Sequence, residues 1–251
     1  MLQAFTLEFV FHTMLIFSRL GVAFSMFPAL GDGYIFMRAR LAFALLTTLA
    51  IYPLIAQYLP KYSDNFSFII GLITCELLIG YIISIGAKIY YWSLHIVGQI
   101  ISMQSGLGAA SFFDPAQRSQ VAIFGSFLFL AASAAIFITD THYLFIHGVI
   151  ESYTRFPPGE LLPAADISKF ITHVINDSFI VAFKMSAPFL IVSIAILVGS
   201  GVLSRLMPNF QVFFVITPAQ ILVMFCILYV VIIAILEKII EVVGSTMNLV
   251  I

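Results

Sequence analysis

Three charged side chains sit inside long apolar stretches of this 251-residue chain: Arg19, Glu76 and Lys184. A charge surrounded by hydrocarbon is expensive, so each is a candidate functional residue by default. Two chemistries suit them. They can form a proton or ion relay, or they can pair and hydrogen-bond where helices meet in a protein-filled interior. Relay residues cluster around broken helices, whereas here each stretch holds one such group, so helix contact is the preferred role. His142 and His147 are five residues apart, which does not stack them on one helical face, and neither has a Cys or Glu at ligand spacing. Interfacial histidines, and no metal, are expected. The chain has no His-Glu-x-x-His, nucleophile elbow, phosphate-binding Gly-rich loop or Cys-x-x-Cys, so it is not expected to be an enzyme or to carry a cofactor. Cys75 and Cys226 lie in apolar runs and read as small hydrophobes.

One stretch is polar and glycine-rich where its surroundings are not. Gln104, Ser105, Gly106, Leu107 and Gly108 lead through Phe112 and Phe113 to Asp114 and Pro115. Upstream, Gly98, Ser102, Gly106 and Ala110 recur every fourth residue, a stripe on which another backbone can approach closely. Glycine disfavours helix, so a helix should break near Gly106 into an irregular loop. Such backbone at membrane depth is tolerated only where protein buries it or water reaches it, so the loop should line or plug a cavity. Two glycines let it fold into a narrow lumen, the Phe pair can fill that lumen, and Asp114-Pro115 can cap the next helix.

The elements that must hold these residues are set by composition. Apolar side chains make up 62% of the chain and charged ones 9%, against about 25% charged in an ordinary soluble domain. That is too little polarity to coat a soluble globule, so lipid or other apolar protein must be the solvent. A net charge of -1 leaves no basic stripe for phosphates, which excludes nucleic acid as a partner. No Lys or Arg precedes Arg19, unlike a cleavable signal peptide, so the N-terminus should be retained. Runs of spanning length cover Phe9 to Leu30, Leu41 to Leu59, Asn65 to Ala87, Ile89 to Phe113, Ser119 to Thr139, Ser178 to Leu203 and Leu206 to Leu236.

Pro208 and Pro218 divide the last run, so Ala219 to Lys238 should span and Met207 to Thr217 should form a short shoulder. Arg205, Pro208 and Pro218 then mark a hinge in a C-terminal hairpin, residues 178–251. The polar stretch 139–178 predicts a helix, a break and a helix outside the membrane or at its interface: a first helix around Tyr143 to Tyr153, a break over Phe156 to Pro163, and an amphipathic helix carrying Ile167, Phe170, Ile171, Val174, Ile175 and Phe179 on one face. Arg38 and Arg40 against Asp32 place the loop 31–40 in the cytoplasm and the N-terminus outside. No linker or repeat divides the chain, so residues 1–251 read as one all-α unit.

These segments resemble a known family. Gly98-Gln99 with Gln104 to Gly108 and Phe113-Asp-Pro115 is similar to the central signature of the FliR family of flagellar biosynthetic proteins and its counterparts in virulence type III secretion. Arg19 with Pro28, Arg38 and Arg40 resembles the family's N-terminal pattern, and Glu76-Leu-Leu-Ile-Gly80 its third segment. Asp140 to Leu144, Glu151-Ser-Tyr153 and Pro157-Pro-Gly159 are similar to its central loop, and Arg205-Leu-Met-Pro208, Val212 to Val215 and Pro218 to its hinge.

The resemblance implies an integral membrane protein of tilted helical hairpins packed in a hetero-oligomeric export gate. Its partners would be FliP-like, FliQ-like and FlhB-like subunits, and its cargo unfolded flagellar proteins leaving the cytoplasm through the bacterial inner membrane at the flagellar basal body. Much of that assembly is raised out of the bilayer, so hydropathy overcounts true spans. It also implies that Gln104 to Pro115 is the plug. The alternatives are the equivalent gate of a virulence system, a small-solute transporter built on Arg19, Glu76 and Lys184, and a membrane scaffold. Transporters of that kind show inverted repeats, and none is detectable here.

Overall fold

A computed structural model describes residues 2–28, 30, 35–107, 123–159, 163–207 and 211–250, with side chains 2–6, 164, 213 and 247–250 left aside. The described residues are helical and turn, without strands. In chain order the helices are α1 (Leu2–Met26), α2 (Met37–Ile55), α3 (Phe66–Gln104), α4 (Ile123–Ile138), α5 (Thr141–Arg155), α6 (Ala164–Leu206) and α7 (Val212–Val250), with a 3₁₀ turn at Ala56–Tyr58. Five of them are long and apolar enough to cross a membrane, and α4 with α5, bent by 72° at a short break, would make a sixth. The chain is an all-α membrane protein.

Hydropathy and helix boundaries part company in three places. The third and fourth apolar runs are one helix, α3, of 39 residues; Lys88 interrupts the apolar count but not the helix, because lysine is a good helix former. The amphipathic segment after Pro163 likewise continues without a break into the sixth run as α6, 43 residues long. At about 1.5 Å per residue, α3 and α6 are both roughly twice the hydrocarbon thickness of a bilayer. Finally, α7 starts at Val212 and takes in Pro218, so the expected short shoulder is the first turns of the spanning helix. Pro218 lies past the first four residues of α7, so it removes a donor that would have reached the Phe214 carbonyl, and the helix continues through it.

The chain forms two compact units: Met1–Tyr90 with Ser133–Val174 and Ile240–Ile251, and Tyr91–Ala132 with Ile175–Ile239. In the first, α1 packs on α2 and buries Leu15, Ile16, Leu20, Phe24 and Phe27, with Phe145, Val149 and Tyr153 of α5 in the same core. The rings of Phe27 and Phe145 lie 4.0 Å apart. One face of α5 is thus buried in this unit. In the second, Leu94, Val97, Ile101, Phe124, Leu128, Phe189 and Met224 are buried, and Tyr91 donates to the Phe129 carbonyl at 2.7 Å. The outer faces of α6 and α7 there expose Ile191, Leu197, Val198, Leu222, Phe225, Tyr229 and Ile233. So large an apolar surface calls for lipid or partner protein.

Candidate functional site

Arg19 lies on α1 and Glu76 on α3, and Gly80, one turn beyond Glu76, explains how they meet. A Cβ built on Gly80 would stand 2.4 Å from the Arg19 carbonyl oxygen, so only glycine lets the two backbones come this close. At that separation Arg19 Nε donates to Glu76 Oε2 at 2.7 Å and Nη2 donates to Oε1 at 2.9 Å. This is the two-pronged geometry in which a guanidinium binds a carboxylate best.

The rest of the guanidinium is answered by α5. Nη1 donates to Ser152 Oγ at 2.9 Å, and Nη2 donates to the Phe156 carbonyl at 3.0 Å. Ser152 Oγ in turn donates to the Val149 carbonyl at 2.6 Å. The Tyr153 ring covers the cation, 3.8 Å from its centre. Arg19 and Glu76 are both 0% exposed. A buried pair with its hydrogen bonds so filled holds charge in place; it has no open position for an arriving ion.

Lys184 is in the second unit. It is exposed on α6 and, with Lys238 of α7, lines a groove of about 330 Å³ whose other walls include Val181, Met185, Pro188 and Ile235. Among the described residues it has no ion pair.

Of the expected plug, Gln104, Ser105, Gly106 and Leu107 are described; Gly108, Phe112, Phe113, Asp114 and Pro115 lie outside the described residues. Helix α3 ends at Gln104. Ser105 N–H still reaches the Ile101 carbonyl at 2.8 Å, and then Gly106 turns left-handed at φ 80° with its N–H on Met103. A glycine in that conformation stops a helix without a Cβ penalty.

The end so formed is tied to both neighbouring helices. Gln104 Oε1 accepts from Ser193 Oγ of α6 at 2.6 Å, and the Gln104 carbonyl accepts from the Gln220 amide of α7. Further back, Gly98 faces Gly125 of α4 so closely that a Cβ on it would fall 2.1 Å from the Gly125 Cα. Of the expected hinge, Arg205 is exposed in the last turn of α6, Pro218 is exposed inside α7, and Pro208 lies outside the described residues.

Ser152, Tyr153, Ser193 and Gln220 were not legible as site residues, since each is an ordinary polar residue whose partner is far away in sequence. Gly80 enters the sequence analysis only through the family resemblance; the signal for its role is a glycine one turn from a lone intramembrane carboxylate, which marks a face on which a second backbone can approach. The sequence reading also overlooked Glu151 beside His147. Nδ1 and Oε2 are 3.2 Å apart across one exposed helical turn. Two groups do not make a metal site, and no cluster of three metal-capable side chains occurs among the described residues.

Long apolar helices, a closed internal ion pair and a polar, glycine-stopped helix end define a membrane-embedded helical component with small-residue contacts. Over residues 10–246 the sequence matches the bacterial export proteins, family 1, and the chain belongs to that family. It is 31% identical over 222 residues to the flagellar biosynthetic protein FliR of Caulobacter vibrioides, covering 88% of each chain. Against FliR of Bacillus subtilis the identity is 26%, over 86% of this chain and 84% of the relative. Against the Yop proteins translocation protein T of Yersinia pestis it is 26%, over 68% and 66%. The chain is therefore an integral membrane component of the type III export apparatus, which it joins with other membrane subunits.

Proposed function

We propose that this chain is the FliR-type subunit of the flagellar export gate, sitting in the bacterial inner membrane within the basal body. It forms part of the pore through which unfolded flagellar subunits leave the cytoplasm, and it does so without catalysis of its own. The observation that carries this is the family match from residue 10 to residue 246, which spans every helix of the fold. FliP-like, FliQ-like and FlhB-like subunits are its partners. The apolar faces of α6 and α7 supply surface for them.

Within that pore Gln104 to Pro115 acts as the closing element. Support comes from the described start of the segment: a helix end stopped by Gly106 and pinned by Ser193 and Gln220 leaves the chain that follows on a fixed anchor. The charged pair Arg19 and Glu76 serves as a fixed helix contact, and Arg205 and Pro208 as the hinge between α6 and α7, with Pro218 inside α7.

Deleting the gene should abolish filament assembly and motility, and the intact gene should restore both. A strain that keeps its filaments but loses secretion of virulence effectors would move the assignment to the virulence gate, the reading that the Yersinia relative supports. Deleting residues 106–113 should leave an assembled complex that leaks small ions; background leakage from an assembled complex would remove the plug from this segment.

A further inference from the structure

The first unit contains a cavity of about 350 Å³ that neither the ion pair nor the export gate uses. It lies among Phe24 of α1, Phe27 just past its end, Phe43 of α2, Phe137 of α4, and Phe145 and Ile146 of α5, and its surface is almost entirely carbon. That volume is in the range of small-molecule sites. Its polar groups are few. Arg40 and His142 line it, and Arg40 Nε and His142 Nδ1 are both shut off from solvent without a hydrogen-bond partner. The guanidinium's one contact is from Nη2 to the Ile35 carbonyl at 3.3 Å. No Asp or Glu is among the described lining residues.

The backbone adds the same sign. Helix α2 begins at Met37 and α5 at Thr141, and neither first turn is capped by a side chain. Two helix starts with open N–H groups therefore stand at Arg40 and His142; the partial positive charge is unopposed at α2, whose N-cap residue is Phe36, and partly offset at α5 by the carboxylate of its N-cap residue Asp140. An occupant must be hydrocarbon where the phenylalanines are and an anion where the arginine is. A free phosphate cannot satisfy the apolar walls, and a neutral alkane leaves the buried Arg40 Nε without a partner. The cavity lies where α1 ends and α2 begins, and both helices are long and apolar enough to cross a membrane.

We propose that this cavity holds an acyl chain of an anionic glycerophospholipid whose phosphate binds Arg40 and His142. Arginine presents donors in the fork that phosphate oxygens accept, and the ring nitrogen of His142 adds a second contact. The site needs only that the chain lie in lipid, so it stands or falls separately from the export role.

The test uses membranes carrying the assembled export complex. Phosphatidylglycerol with a photoreactive diazirine in its acyl chain is illuminated there, in parallel with the same chain on phosphatidylcholine, and labelled peptides are mapped by mass spectrometry. Phosphatidylglycerol should label the Phe43, Phe137 and Phe145 region well above phosphatidylcholine. Arg40→Gln with His142→Gln should lower that labelling about tenfold, the equivalent of one charge-assisted contact. Ala39→Trp, which fills the cavity and keeps both headgroup ligands, should lower it as well. Where the double variant fails to assemble, Arg40→Lys keeps the charge, loses the fork, and should give intermediate labelling. Equal labelling by both lipids, unmoved by the variants, would mean bulk lipid only and overturn the site. So would a photoreactive side chain at residue 39 that captures a neighbouring subunit instead of lipid.

Discussion

In the first unit Arg19 is enclosed, holds Glu76 with two hydrogen bonds, and gives the remaining bonds to Ser152 and the Phe156 carbonyl. In the second, Lys184 is exposed beside an apolar groove and has no ion pair among the described residues. Both are cations in apolar stretches of sequence, yet one is matched inside its own chain and the other is not. The second unit holds its helices by neutral bonds instead, Ser193 and Gln220 on Gln104, and by the bare contact of Gly98 with Gly125. A charge completed internally belongs to the fold. A charge left open belongs to whatever the chain meets.

The sharpest way to break this comparison is to remove one partner of the enclosed pair. Arg19→Ala or Glu76→Ala should cost about 3–5 kcal/mol, because each leaves the other charge buried and uncompensated. Replacing both at once, Arg19→Met with Glu76→Leu, should recover most of it, since apolar groups of similar volume need no partner. Thermal denaturation of the detergent-extracted protein reads both. A double variant that folds normally but no longer exports would turn the pair into a relay, and one as unstable as either single change would show that the hydrogen bonds to α5 dominate.

The glycine contacts come next. Ala at Gly80 or Gly98 would drive a methyl into facing backbone, and overpacking of this kind costs about 1–3 kcal/mol or more. Gly199, with nothing within 4 Å of its Cβ position, is the control; there Ala should stabilise the helix by up to about 1 kcal/mol. The same melting measurement, or the yield of intact complex, separates them. A Gly98→Ala protein that melts like the parent would mean that α3 and α4 can part without loss.

These residues also show what the sequence could carry. The fold class followed from the scarcity of charge, and the stop at Gly106 from a glycine in a polar patch. Arg19 and Glu76 were marked as helix-contact candidates because lone charges in apolar runs need partners. That they pair with each other, and that α5 closes over them, was not legible: nothing in a local pattern links residues 19, 76 and 152. Continuity of α3 and α6 was missed for the opposite reason. Hydropathy reports where lipid is tolerable, while a helix continues through Lys88 or Asp177 as long as the backbone finds its own bonds.

Smaller effects are expected at the neutral contacts. Ser193→Ala and Gln220→Leu each remove one hydrogen bond to Gln104, worth about 1 kcal/mol. Gly106→Ala forces a side chain into left-handed backbone at about 1–2 kcal/mol. Amide exchange at residues 104–106 should accelerate in all three variants while the Arg19 region is unchanged. Uniform acceleration across the chain would mean that the helix end at Gln104 opens only with the whole fold.

The smallest effect on folding is expected at Lys184, and it decides what the comparison means. Because the side chain is exposed and has no ion pair among the described residues, Lys184→Met breaks nothing inside the chain. Its melting in detergent should stay within about 0.5 kcal/mol of the parent. Transfer of a lysine into hydrocarbon costs about 2.5–3.5 kcal/mol, so in lipid the substitution should even favour insertion of the isolated subunit. In the assembled complex the sign should reverse. If a carboxylate of a neighbouring subunit answers this cation, removing it strands that carboxylate, and the fraction of subunit recovered in the complex should fall while melting of the free subunit does not. A loss of stability in the free subunit as large as that of Arg19→Ala would show instead that Lys184 is also completed within its own fold, and the contrast between the units would vanish.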